Sequence, residues 1–137
     1  MKKRIIKILL ANDNKTIRKG FELAFEAFAP HLQIVEQSDS FKDLLKKLPP
    51  TEFDILMSDD IMEGEHIITY LPGIKEQYPA MKIILNSIFT EEVPHLIEAR
   101  KWINGWVSFA SEPSVFIETI ENVFSNGYFF NGNKEKV

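Results

Sequence analysis

Short β-branched runs alternate with longer stretches whose apolar residues fall at helical spacing, and this alternation restricts the fold more than any other feature of the chain. Ile5 to Ala11 reads as a strand. It precedes a predicted helix from about Lys15 to Phe28, in which Ile17, Phe21, Ala24, Phe25 and Phe28 share one face before Pro30 ends it. Leu32 to Glu36 reads as a second strand. Ser38-Asp39-Ser40 can cap orphan amides of the next helix, which buries Phe41, Leu44, Leu45 and Leu48 and closes at Pro49-Pro50. Phe53 to Ser58 reads as a buried third strand, followed by a polar loop through Gly64 and a helix carrying Ile67, Ile68, Leu71 and Ile74. Lys82 to Asn86 supplies a fourth strand, Glu91 to Trp102 a fourth helix with Pro94 in or near its first turn, and Gly105 to Phe109 a fifth strand. Pro113 opens the last helix, which presents Phe116, Ile120, Val123 and Phe124 and stops at Gly127.

Successive βα units with short connections imply an α/β fold with a parallel sheet and helices on both faces, because parallel strands need crossovers and these are right-handed. With 137 residues, 45% of them hydrophobic, the chain has enough apolar material for one core and one domain. It has no cysteine, which excludes disulfide frameworks, zinc-thiolate sites and thiol catalysis and fits a cytoplasmic setting. A formal net charge of -4 argues against direct nucleic-acid binding or attachment to an acidic membrane surface. The clusters Lys2-Lys3-Arg4 and Lys46-Lys47 read as solvated flanks, since neither forms a stripe. No apolar run approaches the roughly 20 residues of a membrane span.

Ligands of doubly wound folds sit at the carboxyl ends of the strands. Three strands end there in polar groups: Asn12-Asp13, Asp59-Asp60 and Ser87. Carboxylates gathered at one sheet edge repel unless a cation or a proton offsets them. Magnesium (Mg2+) suits such a place, because it prefers oxygen ligands, takes one or two carboxylates and keeps waters elsewhere. Asp13 and Asp59 would suffice. Such an ion would also orient an incoming phosphoryl group toward a carboxylate nucleophile, and Ser87 could donate to a phosphoryl oxygen. Taken singly, these residues have plainer readings: Asp59 as a turn residue, Asp60 as solvated, His31, His66 and His95 as separate surface or boundary residues.

Nearly the whole chain resembles the receiver domain of two-component response regulators. Ile8 to Asn14 with Ile17-Arg18-Lys19-Gly20 is similar to the family's first strand, acidic pair and first helix, and Phe53 to Asp59 with Met62 and Gly64 to its third strand and following loop. Leu85-Asn86-Ser87 and Gly105-Trp106-Val107 with Pro113 resemble its fourth and fifth strand ends and last helix. The resemblance implies a flavodoxin-like sheet of five strands in the order 2-1-3-4-5, with residues 1–126 as receiver and 127–137 as a tail or the start of a linker to an output domain. It implies Asp59 as phosphoacceptor, Asp13, Asp59, Asn12 and the backbone carbonyl of Ile61 around magnesium, Ser87 as switch hydroxyl and Trp106 as switch aromatic. It implies a sensor histidine kinase as phosphoryl donor, a DNA-binding output domain or downstream protein as target, and signalling or homodimerisation through the fourth helix, fifth strand and last helix. Such a domain is an acceptor rather than a classical enzyme.

Two positions depart from the family. Asn12 stands where the first of two acids is usual, and Phe109 stands where a lysine is usual. An asparagine oxygen can still ligate magnesium, and Asp60, Glu63 and Glu65 restore negative field nearby. Losing the lysine removes a charge-assisted bond of roughly 1.5 to 3 kcal/mol from a switch that needs about 5.5 kcal/mol to be thrown fully, so coupling suffers more than chemistry. The alternative is a degenerate receiver that serves as a phosphorylation-independent interaction module. A flavin carrier on the same fold would need a hydroxyl- and glycine-rich phosphate loop, and Asn12-Asp13-Asn14 would repel a flavin phosphate.

Overall fold

The computed structural model describes residues 3–49 and 52–130. Lys2, Pro50 and the tail from 131 onward lie outside the described residues. Five parallel strands form one sheet: β1 (Ile6–Ala11), β2 (Leu32–Ser38), β3 (Ile55–Asp59), β4 (Lys82–Ser87) and β5 (Gly105–Ser108). Their order across the sheet is β2-β1-β3-β4-β5, as the resemblance implied. The helices are α1 (Lys15–Phe28), α2 (Phe41–Lys46), α3 (Leu71–Gln77), α4 (Pro94–Ala99) and α5 (Pro113–Asn126).

Alternation along the strands divides the core into two layers, since successive side chains leave a strand on opposite faces. Leu9, Leu56, Ile83, Leu85 and Trp106 pack with Phe41 and Leu44 of α2, Leu71 and Ile74 of α3 and Leu96 of α4. Ile8, Leu10, Met57, Ile84 and Val107 pack with Phe21 and Phe25 of α1 and Phe116, Ile120 and Val123 of α5. No helix among the described residues is long and apolar enough to cross a membrane.

Several boundaries differ from the sequence reading. On α1 only Phe21 and Phe25 are buried, whereas Ile17 is 40% and Phe28 72% exposed. Both lie in terminal turns, and it is the middle of the helix that Phe116 of α5 covers, with the Phe21 and Phe116 rings 5.2 Å apart. The third helix divides into a 3₁₀ turn (Ile67–Thr69) and α3, because Pro72 has no amide hydrogen to donate and so sits in a first turn. α4 is shorter than the spacing predicts for the same reason: Pro94 holds Val93 extended at φ -98°, so no helix precedes it. The loop after β3 carries an antiparallel ribbon, Ile61–Met62 against Glu65–His66. Its turn needs left-handed backbone at both central residues, Glu63 (φ 51°) and Gly64 (φ 80°).

Candidate functional site

Strand register gathers the polar residues that the sequence scatters. Ala11 pairs with Ser58, which sets Asn12 beside Asp59, and Asp59 pairs in turn with Asn86. These three side chains form a row across β1, β3 and β4 at the carboxyl edge, each two residues beyond a side chain of the α1–α5 layer. Within the row the Asn12 amide nitrogen donates to both carboxylate oxygens of Asp59, at 3.0 and 2.9 Å. The Asn12 oxygen accepts from the Asn14 amide at 2.7 Å, and the Arg18 guanidinium donates to the Asn12 backbone carbonyl, so Asn12 is fixed at both ends. Asn14 also caps α1 by accepting from Ile17 N at 3.0 Å.

Asp59 is buried, and burial is the main reason its carboxyl is pushed up to about 7. The Asn12 hydrogen bonds oppose the rise, while the neighbouring charges of Asp13 and Asp60 add to it. Asp13 is exposed, and its carboxylate accepts from the Glu63 amide at 3.0 Å, which ties the end of β1 to the ribbon turn. Ile61, half-buried, opens that ribbon immediately after the two acids. Ser87 is fully buried one residue past the register partner of Asp59, and its Oγ accepts from the Phe89 amide at 3.0 Å. Trp106 is buried in the layer under α2, α3 and α4, with no partner for its indole nitrogen among the described residues. Phe109 lies on the opposite layer, its ring 6.4 Å from those of Phe21 and Phe116. At the place of the usual lysine the wall is therefore apolar.

Three features escaped the sequence reading. Asp60 is buried rather than solvated, and His95 Nε2 of α4 lies 3.1 Å from its Oδ2. His66 and His95 are not separate, since their rings meet edge to face at 5.4 Å. Asn86 is fully buried where the apolar run Ile83-Ile84-Leu85 of β4 stops. Its signal was an amide following Ile83-Ile84-Leu85 where a hydrophobic residue would continue the run.

For magnesium, Asp13 and Asp59 supply the two carboxylates such an ion takes, and the charges of Asp13 and Asp60, which add to what burial does at Asp59, are charge that a cation would neutralise. The residues fit. Asn12 behaves differently from the expectation that it would offer a metal its oxygen: a neutral amide beside a carboxylate turns its donor to it, and the oxygen is committed to Asn14.

No family model matches the chain. It is 29% identical over 103 residues to a protein-glutamate methylesterase/protein-glutamine glutaminase of Carboxydothermus hydrogenoformans, a match covering 75% of this chain but only 29% of that protein. Among solved structures, the isolated RcsB receiver domain of Salmonella enterica serovar Typhimurium with the phosphomimetic BeF3- superposes with a TM-score of 0.78 at 20% identity, over 93% of this chain and 94% of that one. A LuxR-family response regulator from Aurantimonas gives 0.79 at 20% identity over 90% and 87%. The non-phosphorylated RcsB receiver domain of Escherichia coli gives 0.78 at 20% identity over 93% and 98%. With its strand order, two-sided helical cover and buried aspartate at the end of β3, the chain has the fold of a response-regulator receiver domain.

Proposed function

We propose that this domain accepts a phosphoryl group on Asp59 from a phosphohistidine of a sensor kinase or from a small acyl phosphate. A carboxylate oxygen attacks phosphorus, the bond from phosphorus to the donor nitrogen or oxygen breaks with its electron pair leaving on the donor, and an aspartyl phosphate results. The observation that carries this reading is a buried aspartate at the carboxyl edge, aimed by the two Asn12 hydrogen bonds and paired with no cationic side chain among the described residues. Asp13, Asp59 and the Ile61 carbonyl would hold magnesium, which supplies charge neutralisation. Ser87 would donate its hydroxyl hydrogen to a phosphoryl oxygen while its Oγ accepts from the Phe89 amide, and the change would pass to the α4–β5–α5 surface around Trp106. A DNA-binding output is a further proposal, motivated by the likeness to RcsB, which has been solved in complex with DNA.

Beryllofluoride with magnesium tests this directly. Trp106 fluorescence should change on titration, and the Asp59→Asn variant should not respond. A wild type that stays silent in millimolar magnesium overturns the reading.

A second reading, the degenerate receiver, is favoured by the apolar packing of Phe109 on Phe21 and Phe116. It expects no phosphoryl mass increment after acetyl phosphate treatment and undiminished partner binding by Asp59→Ala.

A further inference from the structure

Asn86 is fully buried, and neither polar atom of its side chain has a hydrogen-bond partner among the described residues. Buried amides are normally satisfied, so an orphaned one calls for a missing partner. Its position narrows the choice. Asn86 is the register partner of Asp59 on one side and of Val107 on the other, and direct partners in parallel strands project to the same face. Ile84, two residues earlier, and Val107 both lie in the α1–α5 layer, as do Met57 before Asp59 and Leu10 before Asn12. Asn86 thus mirrors Asn12 across Asp59.

The two amides differ in what they have to bond. Asn12 already donates to both oxygens of the free carboxylate. A phosphoryl group on Asp59 would bring three further strong acceptor oxygens to the same edge. On that layer the next side chain of the neighbouring strand end is Phe109, held against Phe21 and Phe116, so that position offers those oxygens an apolar ring and no cation.

We propose that Asn86 is a phosphoryl-binding residue: its Nδ2 donates a hydrogen bond to an oxygen of the group carried by Asp59, supplying from β4 with a neutral amide a contact that the apolar side chain of Phe109 cannot make. This rests on the acceptor reading of Asp59. A neutral donor holds a phosphoryl oxygen less firmly than an ammonium group, so the site is kept responsive but weak.

The test pairs binding with stability, using the full chain, Asn86→Leu and the smaller Asn86→Val. Beryllofluoride affinity in magnesium is read from tryptophan fluorescence, aspartyl-phosphate lifetime after acetyl phosphate from intact mass, and Tm without ligand. Both variants should melt at or above the wild-type temperature, because an amide without a partner has been removed, and both should bind beryllofluoride about tenfold more weakly. Wild-type affinity in both variants overturns the proposal. So does a marked fall of Tm in both, since it would show that the amide already has a structural partner in the free protein. A wild type that does not bind beryllofluoride removes the acceptor reading itself, an outcome distinct from a responsive wild type with unaltered variants.

Discussion

The Asn12 side-chain nitrogen lies 3.0 and 2.9 Å from the two oxygens of the Asp59 carboxylate, so one neutral amide spans both acceptors of the buried acid. Hydrogen bonds to the charged form favour it, but here they do not outweigh burial and the two acidic neighbours, and the carboxyl stays near neutrality at about 7. Chemistry at Asp59 is therefore tied to its protonation state, because only the carboxylate can attack or hold a cation.

An acid whose pKa rises from 3.8 unfolded to about 7 folded keeps its proton in the native state over a range where the unfolded chain has released it. Its favourable contribution is complete below the unfolded value and is lost as pH rises through the folded one. At 1.36 kcal/mol per unit, the full swing is at most about 4 kcal/mol. Asp59→Asn should remove it. In denaturant unfolding, the stability of the variant relative to wild type should therefore grow from pH 5 to pH 8; a constant difference would show that Asp59 titrates near the ordinary value.

Asn12→Asp tests the cation reading from the other side of the row. A carboxylate in place of the amide removes two hydrogen bonds from Asp59 and adds a like charge beside it, so without divalent ions the variant should be less stable at pH 8 by a few kcal/mol, on the order of the uncompensated interaction. Magnesium should then raise its Tm more than that of the wild type, by the usual linkage of binding to folding. Equal responses to magnesium, or none, would place the ion elsewhere or nowhere.

The sequence made most of the sheet legible because β-branched runs and helical spacing are local properties. Pro113 and Gly127 bracket α5 where they were expected, and Ser40 caps α2 by accepting from Asp43 N at 3.0 Å. Burial around α1 was less legible. Periodicity places Phe28 on the apolar stripe, but whether a terminal turn is covered depends on the neighbouring helix, which spacing does not encode. The site divides the same way. Asp59 and Asp13 could be read as acids at strand ends, whereas the His95 partner of Asp60 comes from a helix 35 positions away in sequence. The meaning of Asn86 depends on register, which fixes whether it faces Asp59 or the opposite layer and which spacing along one strand does not encode.

The Asp60–His95 contact should be measurable as a pair. Asp60 is buried while the His95 side chain is about a quarter exposed, so removing the histidine strands a carboxylate that cannot easily reach water. His95→Ala should destabilise the fold by about 1 to 3 kcal/mol. Asp60→Ala should cost less on a His95→Ala background than on wild type, and a double-mutant cycle in urea reads the difference. Strict additivity would mean that the two side chains are near each other without interacting.

Gly105, at the start of β5, shows how the end of α5 is fastened to the sheet. Asn104 beside it accepts from Ile83 N at 2.8 Å and donates to the Gly127 carbonyl at 2.7 Å, and Phe129 N donates to the Asn104 carbonyl at 2.8 Å. A Cβ on Gly105 would stand 2.6 Å from the Phe129 carbonyl oxygen and 3.3 Å from methyls of Thr119 and Val123. Backbone held by those three bonds cannot yield cheaply, so Gly105→Ala should cost about 1 to 3 kcal/mol, as overpacking does. Gly20 in α1 is the matched control: its added Cβ meets nothing within 4 Å and its helical backbone suits alanine. Gly20→Ala should gain roughly 0.5 to 1 kcal/mol. Thermal melts of the two variants should move in opposite directions, and a Gly105→Ala protein as stable as wild type would mean that the Phe129 segment is not held against β5.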